Sequence, residues 1–220
     1  MPENPTKCIY CGERDATERD HVPPQSFFPH PRPSNLITVP SCSECNRAFG
    51  KIDERMRNIL TSLESTEDHP AIISQLAGKR YRSLARPEGI TNLDHIVESI
   101  KQVDVYTPAN LYVGTRPAFN LDQRIVYQFL NRTVRALLYI ENNIKCFDGR
   151  IDWRLSYSVD DFQNMPTDLK SFLANPSVKN EIGDDIFFYA GWFLEGHPNS
   201  LWALGFYGGV EFLVTVMHNK

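Results

Sequence analysis

Cys8-Ile9-Tyr10-Cys11-Gly12 and Cys42-Ser43-Glu44-Cys45-Asn46 bracket a short polar stretch that holds Asp20-His21-Val22-Pro23-Pro24 and Asn35-Leu36-Ile37-Thr38-Val39-Pro40. From Cys8 to about Gly50 the chain is dense in Cys, Pro, Ser, Asn and charge and poor in apolar periodicity, so a conventional core cannot hold it and a cross-link is required. Two C-x-x-C knuckles supply one: Cys8, Cys11, Cys42 and Cys45 can present four thiolates tetrahedrally to a structural Zn²⁺. Gly12, directly after the first knuckle, lets the backbone turn its amides toward sulfur. A redox dithiol would use a single C-x-x-C beside a βαβ pattern, which this stretch lacks. The knuckles stand about thirty residues apart, farther than in the commonest zinc ribbons, so a functional segment is looped between them.

Working outward, Phe49, Ile52, Met56, Ile59, Leu60 and Leu63 recur at three and four residues, which predicts a helix over 46–63 that starts just behind the second knuckle. His69-Pro70 breaks it. Shorter helical patterns follow at 71–84 and 93–102, the latter capped by Asn92, and this stretch reads as the linker between two modules. Short strands are expected at 103–106 and 111–113, and a strongly amphipathic helix over 121–142 reads as the core of a second domain. Residues 186–195, 201–206 and 210–217 are aromatic and β-branched, separated by Gly196-His197-Pro198-Asn199 and Gly208-Gly209, which predicts an antiparallel meander. The expected class is α+β: a zinc-stapled module over 1–65, then a mixed helical and antiparallel-sheet domain over 66–220.

The 220 residues are 41% hydrophobic and 23% charged with a net charge of -4, ordinary for a soluble globular protein and unlike one that coats nucleic acid non-specifically. Arg47, Lys51, Arg55 and Arg57 outnumber Asp53 and Glu54 near the second knuckle, so one helix can still be locally basic. No run is long and apolar enough to span a bilayer, and Met1-Pro2-Glu3-Asn4-Pro5 lacks the pattern of a secretory signal, so no membrane partner and a cytoplasmic location are expected. A reducing compartment favours metal ligation over disulfides for the paired cysteines. Cys146 stands apart and reads as a buried core cysteine.

A knuckle, an Asp-His-x-x-Pro element, an Asn-Leu element and a second knuckle followed at once by His or Asn occur here in that order, and over residues 8–57 the chain resembles the HNH endonuclease family. The resemblance implies a ββα-metal fold, with Asp20-His21 ending the first strand, Asn35 in the loop or second strand and Asn46 opening the helix. It also implies roles: Asp20 and Asn46 as ligands of a catalytic metal, His21 as general base, and Asn35 as the residue that fixes the loop orienting His21. Asn46 stands where many members have His. One anionic and one neutral oxygen donor suit Mg²⁺ or Mn²⁺ better than softer metals. An imidazole with an intrinsic pKa of about 6.5 suits proton abstraction from water at neutral pH.

Taken singly, Asp20-His21 is a surface pair, Asn35 a turn residue and Asn46 a helix cap; their joint placement inside the knuckles favours the site. Adjacent strand residues point to opposite faces, so Asp20 and His21 converge only if the strand is bulged or ends there. Arg47, Lys51 and Arg55 are expected to clamp substrate phosphates. The expected activity is metal-dependent phosphodiester hydrolysis, with DNA the favoured substrate and RNA not separable by sequence. The family's range of uses suggests phage defence or a mobile element. The alternative is a catalytically inactive zinc-stapled module that binds nucleic acid or protein. The C-terminal domain is expected to recruit a protein partner or to mediate self-association.

Overall fold

A computed structural model of the chain describes residues 7–107, 109–145, 147, 149–155 and 167–218. The expectation for Cys146 falls outside the described residues. Strand β1 (Glu18–His21) pairs antiparallel with β2 (Thr38–Ser41), and helix α1 (Ser43–Leu60) follows directly. The expected strand, loop, strand and helix are therefore present in that order, and Asn46 lies in the first turn of α1, which begins three residues before it at Ser43. A π-helical turn (Ile72–Leu76) runs into α2 (Ala77–Leu84), and α3 (Pro87–Ser99) leads to a β-ribbon of β3 (Lys101–Tyr106) and β4 (Tyr112–Ala118).

Helix α3 starts earlier than the sequence pattern indicates. Pro87 occupies its first turn, where a missing N–H costs nothing, and Asn92 lies inside the helix instead of capping it. Helix α4 (Gln123–Glu141) matches its prediction closely, because Asp122 caps it by accepting from the Arg124 amide at 2.9 Å.

The C-terminal strands β5 (Arg150–Leu155), β6 (Val178–Ile182), β7 (Phe187–Phe193), β8 (Ser200–Phe206) and β9 (Val210–Met217) form one antiparallel sheet in the order β5-β9-β8-β7-β6. Strand β9 shows why: Val210, Phe212, Val214 and Val216 are buried while Glu211 and Thr215 are exposed, the period of two that gives a strand one inward face. The other face carries Ala190, Trp192 and Ala203, and Trp192 donates its indole N–H to the carbonyl of Phe172 in α5 (Thr167–Leu173) at 3.0 Å. Gly191 is required where β7 passes Trp202, since a Cβ there would lie 2.5 Å from the indole ring.

The main core runs through both predicted modules. Phe27 and Phe28, from the loop between β1 and β2, share one apolar cluster with Met56 and Leu60 of α1, Val126 to Leu138 of α4, and the inner face of the sheet. The rings of Phe27 and Phe129 stack with centroids 5.4 Å apart, and Tyr207 donates its hydroxyl to the carbonyl of Phe27 at 3.0 Å. Ala71, Ile72 and Leu76, in the expected linker, also enter this cluster. Burial of a ring such as Phe27 contributes about 1.5–3 kcal/mol, so the hairpin loop is anchored to α4 and the remote sheet as well as to its own strands. Among the described residues no helix is long and apolar enough to cross a membrane.

Candidate functional site

The four knuckle cysteines converge. Their sulfur atoms all lie within 4.8 Å of one another, with Cys8 and Cys42 buried and Cys11 and Cys45 half-buried. A tetrahedral zinc with Zn–S bonds of about 2.3 Å holds its sulfurs roughly 3.8 Å apart, so this set fits a metal such as zinc after small rotamer adjustments. The backbone prepares each knuckle. Gly12 adopts φ +71° and donates its N–H to the carbonyl of Cys8 at 2.8 Å, closing the first turn. Ile9 donates to Pro40 at 3.1 Å, which ties that turn to the neighbouring strand.

Cys42 is the N-cap of α1, and its sulfur accepts from the amide of Cys45 at 3.5 Å. The amide of Arg14 leads in drawing the Cys11 thiol down to about 6, outweighing burial. The Cys45 amide leads in lowering Cys42. Cys45 itself is pushed up, first by burial and then by its sulfur neighbours, because clustered thiolates repel until a dication neutralises them.

Around the predicted catalytic residues the structure separates what the sequence places side by side. β1 pairs with β2 without a bulge from Glu18 to His21, so Asp20 and His21 leave the strand on opposite faces. His21 ends the strand, half-buried, with its Nε2 2.7 Å from the side-chain nitrogen of Gln25. An amide nitrogen can only donate, so Nε2 accepts and the ring proton sits on Nδ1. Burial lowers the imidazole pKa below its usual value; Asp20 opposes this, and the charges of Arg32, Arg132 and Arg19 add to it. The net effect favours the neutral ring.

Asp20 points inward and is 3% exposed. Its Oδ2 accepts from the Tyr10 hydroxyl at 2.7 Å and from Arg132 Nε at 2.8 Å, and its Oδ1 accepts from Arg132 Nη2. Arg132 comes from the middle of α4; its Nη1 donates to Asp53 of α1 and its Nη2 to the backbone carbonyl of His21 at 3.2 Å. Its guanidinium lies over the Phe49 ring, 4.8 Å from the centroid, and Phe49 meets Tyr10 edge-on at 4.9 Å.

Burial weakens the guanidinium's hold on its proton, but Asp53 and Asp20 outweigh it and raise the Arg132 pKa. Burial and the Asp20 charge push Asp53 up to about 6 against the pull of Arg132. Burial, joined by Asp20, raises the Tyr10 phenol well above its usual range. Stranding one partner of such a buried ion pair costs roughly 3–5 kcal/mol.

The remaining predicted residues are dispersed. Asn35 is exposed in the loop and donates to the carbonyl of Glu181 in β6 at 3.4 Å; no hydrogen bond among the described residues joins it to His21. Asn46 donates its side-chain amide to Glu18 at 2.6 Å. Lys51 and Arg55 line a cleft of about 460 Å³ with Glu54, Asn58, Arg86 and Asp122, and Arg47 is exposed outside it.

The donors expected to hold Mg²⁺ or Mn²⁺ do not fit that ion as arranged, because both oxygens of Asp20 are already engaged and the residue has no open face. Sequence reading missed Tyr10, Gln25, Asp53 and Arg132. Charged residues within the apolar stripes of two helices, Asp53 beside Phe49 and Met56 and Arg132 beside Phe129 and Ala136, were the available signal. No protein-family model, curated protein or solved structure matches this chain.

Two outcomes follow. Metal analysis of purified protein should find one zinc per chain, and Cys11→Ser or Cys45→Ser should lose most of it and unfold at lower temperature; full stability without bound metal would contradict a structural site. The second outcome concerns Asp53. An unfolded Asp titrates near about 3.9, whereas folded Asp53 is pushed up to about 6, so this group's contribution to stability is full below the first value and lost as pH rises through the second. Asp53→Asn should therefore gain stability relative to wild type between pH 4 and pH 7, by on the order of 2 kcal/mol. Thermal melts showing a constant difference across that window would contradict the shift.

Proposed function

We propose that the chain is a zinc-stapled phosphodiester hydrolase of the HNH type acting on nucleic acid, with DNA the favoured substrate. The observation that carries this reading is a half-buried imidazole, with burial holding its pKa below the usual value, at the end of the first strand of a ββα unit flanked by the four-cysteine cluster. Zinc at Cys8, Cys11, Cys42 and Cys45 has a structural part in it: it fixes the first knuckle and the start of α1 on either side of the hairpin.

In the proposed reaction a water O–H bond breaks, its proton passes to Nε2 of His21, its oxygen bonds to phosphorus, the P–O3′ bond breaks, and the departing 3′-oxygen takes a proton from solvent water. The lone pair that accepts from Gln25 in the resting state is the one that accepts this proton. Arg19 and Arg32, whose charges act on the ring, suit an approaching phosphate, and Lys51 and Arg55 in their cleft, with Arg47 beside it, are further phosphate contacts on α1. A divalent ion such as Mg²⁺ would neutralise charge gathering on the phosphoryl oxygens. No step here depends on Asp20 holding it.

One observation favours a second reading. Asp20, sequestered by Arg132 and Tyr10, serves the fold, which is what a zinc-stapled binding module without catalysis requires. Incubation of zinc-loaded protein with plasmid and single-stranded DNA in Mg²⁺ or Mn²⁺ separates the two. The hydrolase reading expects nicking or cutting that falls by about 100-fold or more in His21→Ala, the usual worth of a general base. Cleavage unchanged by that substitution would refute the role of His21. DNA bound equally by both proteins and cut by neither would establish the binding module.

A further inference from the structure

We infer that Arg132 is a built-in cation for Asp20: its guanidinium takes the place beside that carboxylate where a metal would bind, and it positions the strand end that carries His21. The link to His21 as a base rests on the hydrolase reading; the Asp20–Arg132 assignment rests on geometry alone.

Both oxygens of Asp20 are engaged. Oδ2 receives two donors, the Tyr10 hydroxyl and Arg132 Nε, and Oδ1 receives Arg132 Nη2, so the fork of the guanidinium engages both oxygens. A hydrated Mg²⁺ needs an open oxygen and room for its waters, and neither exists where Asp20 and Arg132 are each 3% exposed and Phe49 covers the guanidinium. Asp53 of α1 binds the remaining arm, so the guanidinium is held from β1 and from α1 and cannot swing aside without stranding two carboxylates.

The same Nη2 reaches the backbone carbonyl of His21, one residue beyond Asp20 and at the last paired position of β1. Asp20 is thereby an anchor that fixes the strand end, and His21, on the opposite face, is presented outward from it. Lysine could match the charge but not the planar fork.

Zinc-loaded full-length protein tests this without any cleavage assay, so an inactive protein leaves the result intact. Free Mn²⁺ measured by electron paramagnetic resonance should show Asp20→Asn binding within about twofold of wild type, whereas weakening of about tenfold or more would make Asp20 a ligand and overturn the inference. Should Asp20→Asn fail to fold, the wild-type protein decides alone. Its Arg132 Nε–H resonance should be protected from solvent exchange and unmoved by saturating Mg²⁺; loss or a large shift would mean that metal displaces the arginine. In Arg132→Lys at a fixed pH, the imidazole nitrogen shifts of His21 should leave the Nδ1–H pattern for a mixture of tautomers. Wild-type shifts in a folded Arg132→Lys would refute the positioning role.

Discussion

A guanidinium buried between two carboxylates is the contact on which this arrangement turns. Arg132 sits in the second half of the chain, while Asp20 and Asp53 sit in the first, so the pairing closes the N-terminal hairpin onto α4. All three are largely buried, and each charge is tolerable only while its partners hold position. Phe27 stacked on Phe129 reinforces the closure with apolar area. The N-terminal hairpin, α1, α4 and the five-stranded sheet thus share one core, and the charge cluster joins the hairpin and α1 to α4.

The four-cysteine cluster solves a different problem. Residues 7–50 contribute few large apolar side chains, and their satellite core consists of Ile9, Tyr10, Val22 and Val39 packed around the cysteines themselves. The four-cysteine cluster and the Arg132 cluster both bear on the hairpin, and His21 lies at the last paired position of β1.

Local spacing made much of this legible. The C-x-x-C pairs converge as read, Gly12 has the left-handed backbone its position demands, and the 3.6-residue periodicities locate α1 and α4. The meander was readable because strong alternation in β9 and tight Gly turns leave little choice of register. Helix α3 was misplaced because its start depends on Pro87, outside the apolar pattern used to find it. The role of Asp20 was hidden for a deeper reason: its partner lies 112 residues away, and no local rule pairs an Asp on a strand with an Arg on a helix read as ordinary core.

Native-state hydrogen exchange on zinc-loaded protein examines the coupling most directly. If Arg132 and the shared core bind the hairpin to the body, the paired amides of β1 and β2 should open with the same free energy as those in the middle of α4 and respond equally to denaturant. Hairpin amides that exchange through a separate, lower-energy opening while α4 stays protected would show an independent module, and would contradict the closure of the hairpin onto α4.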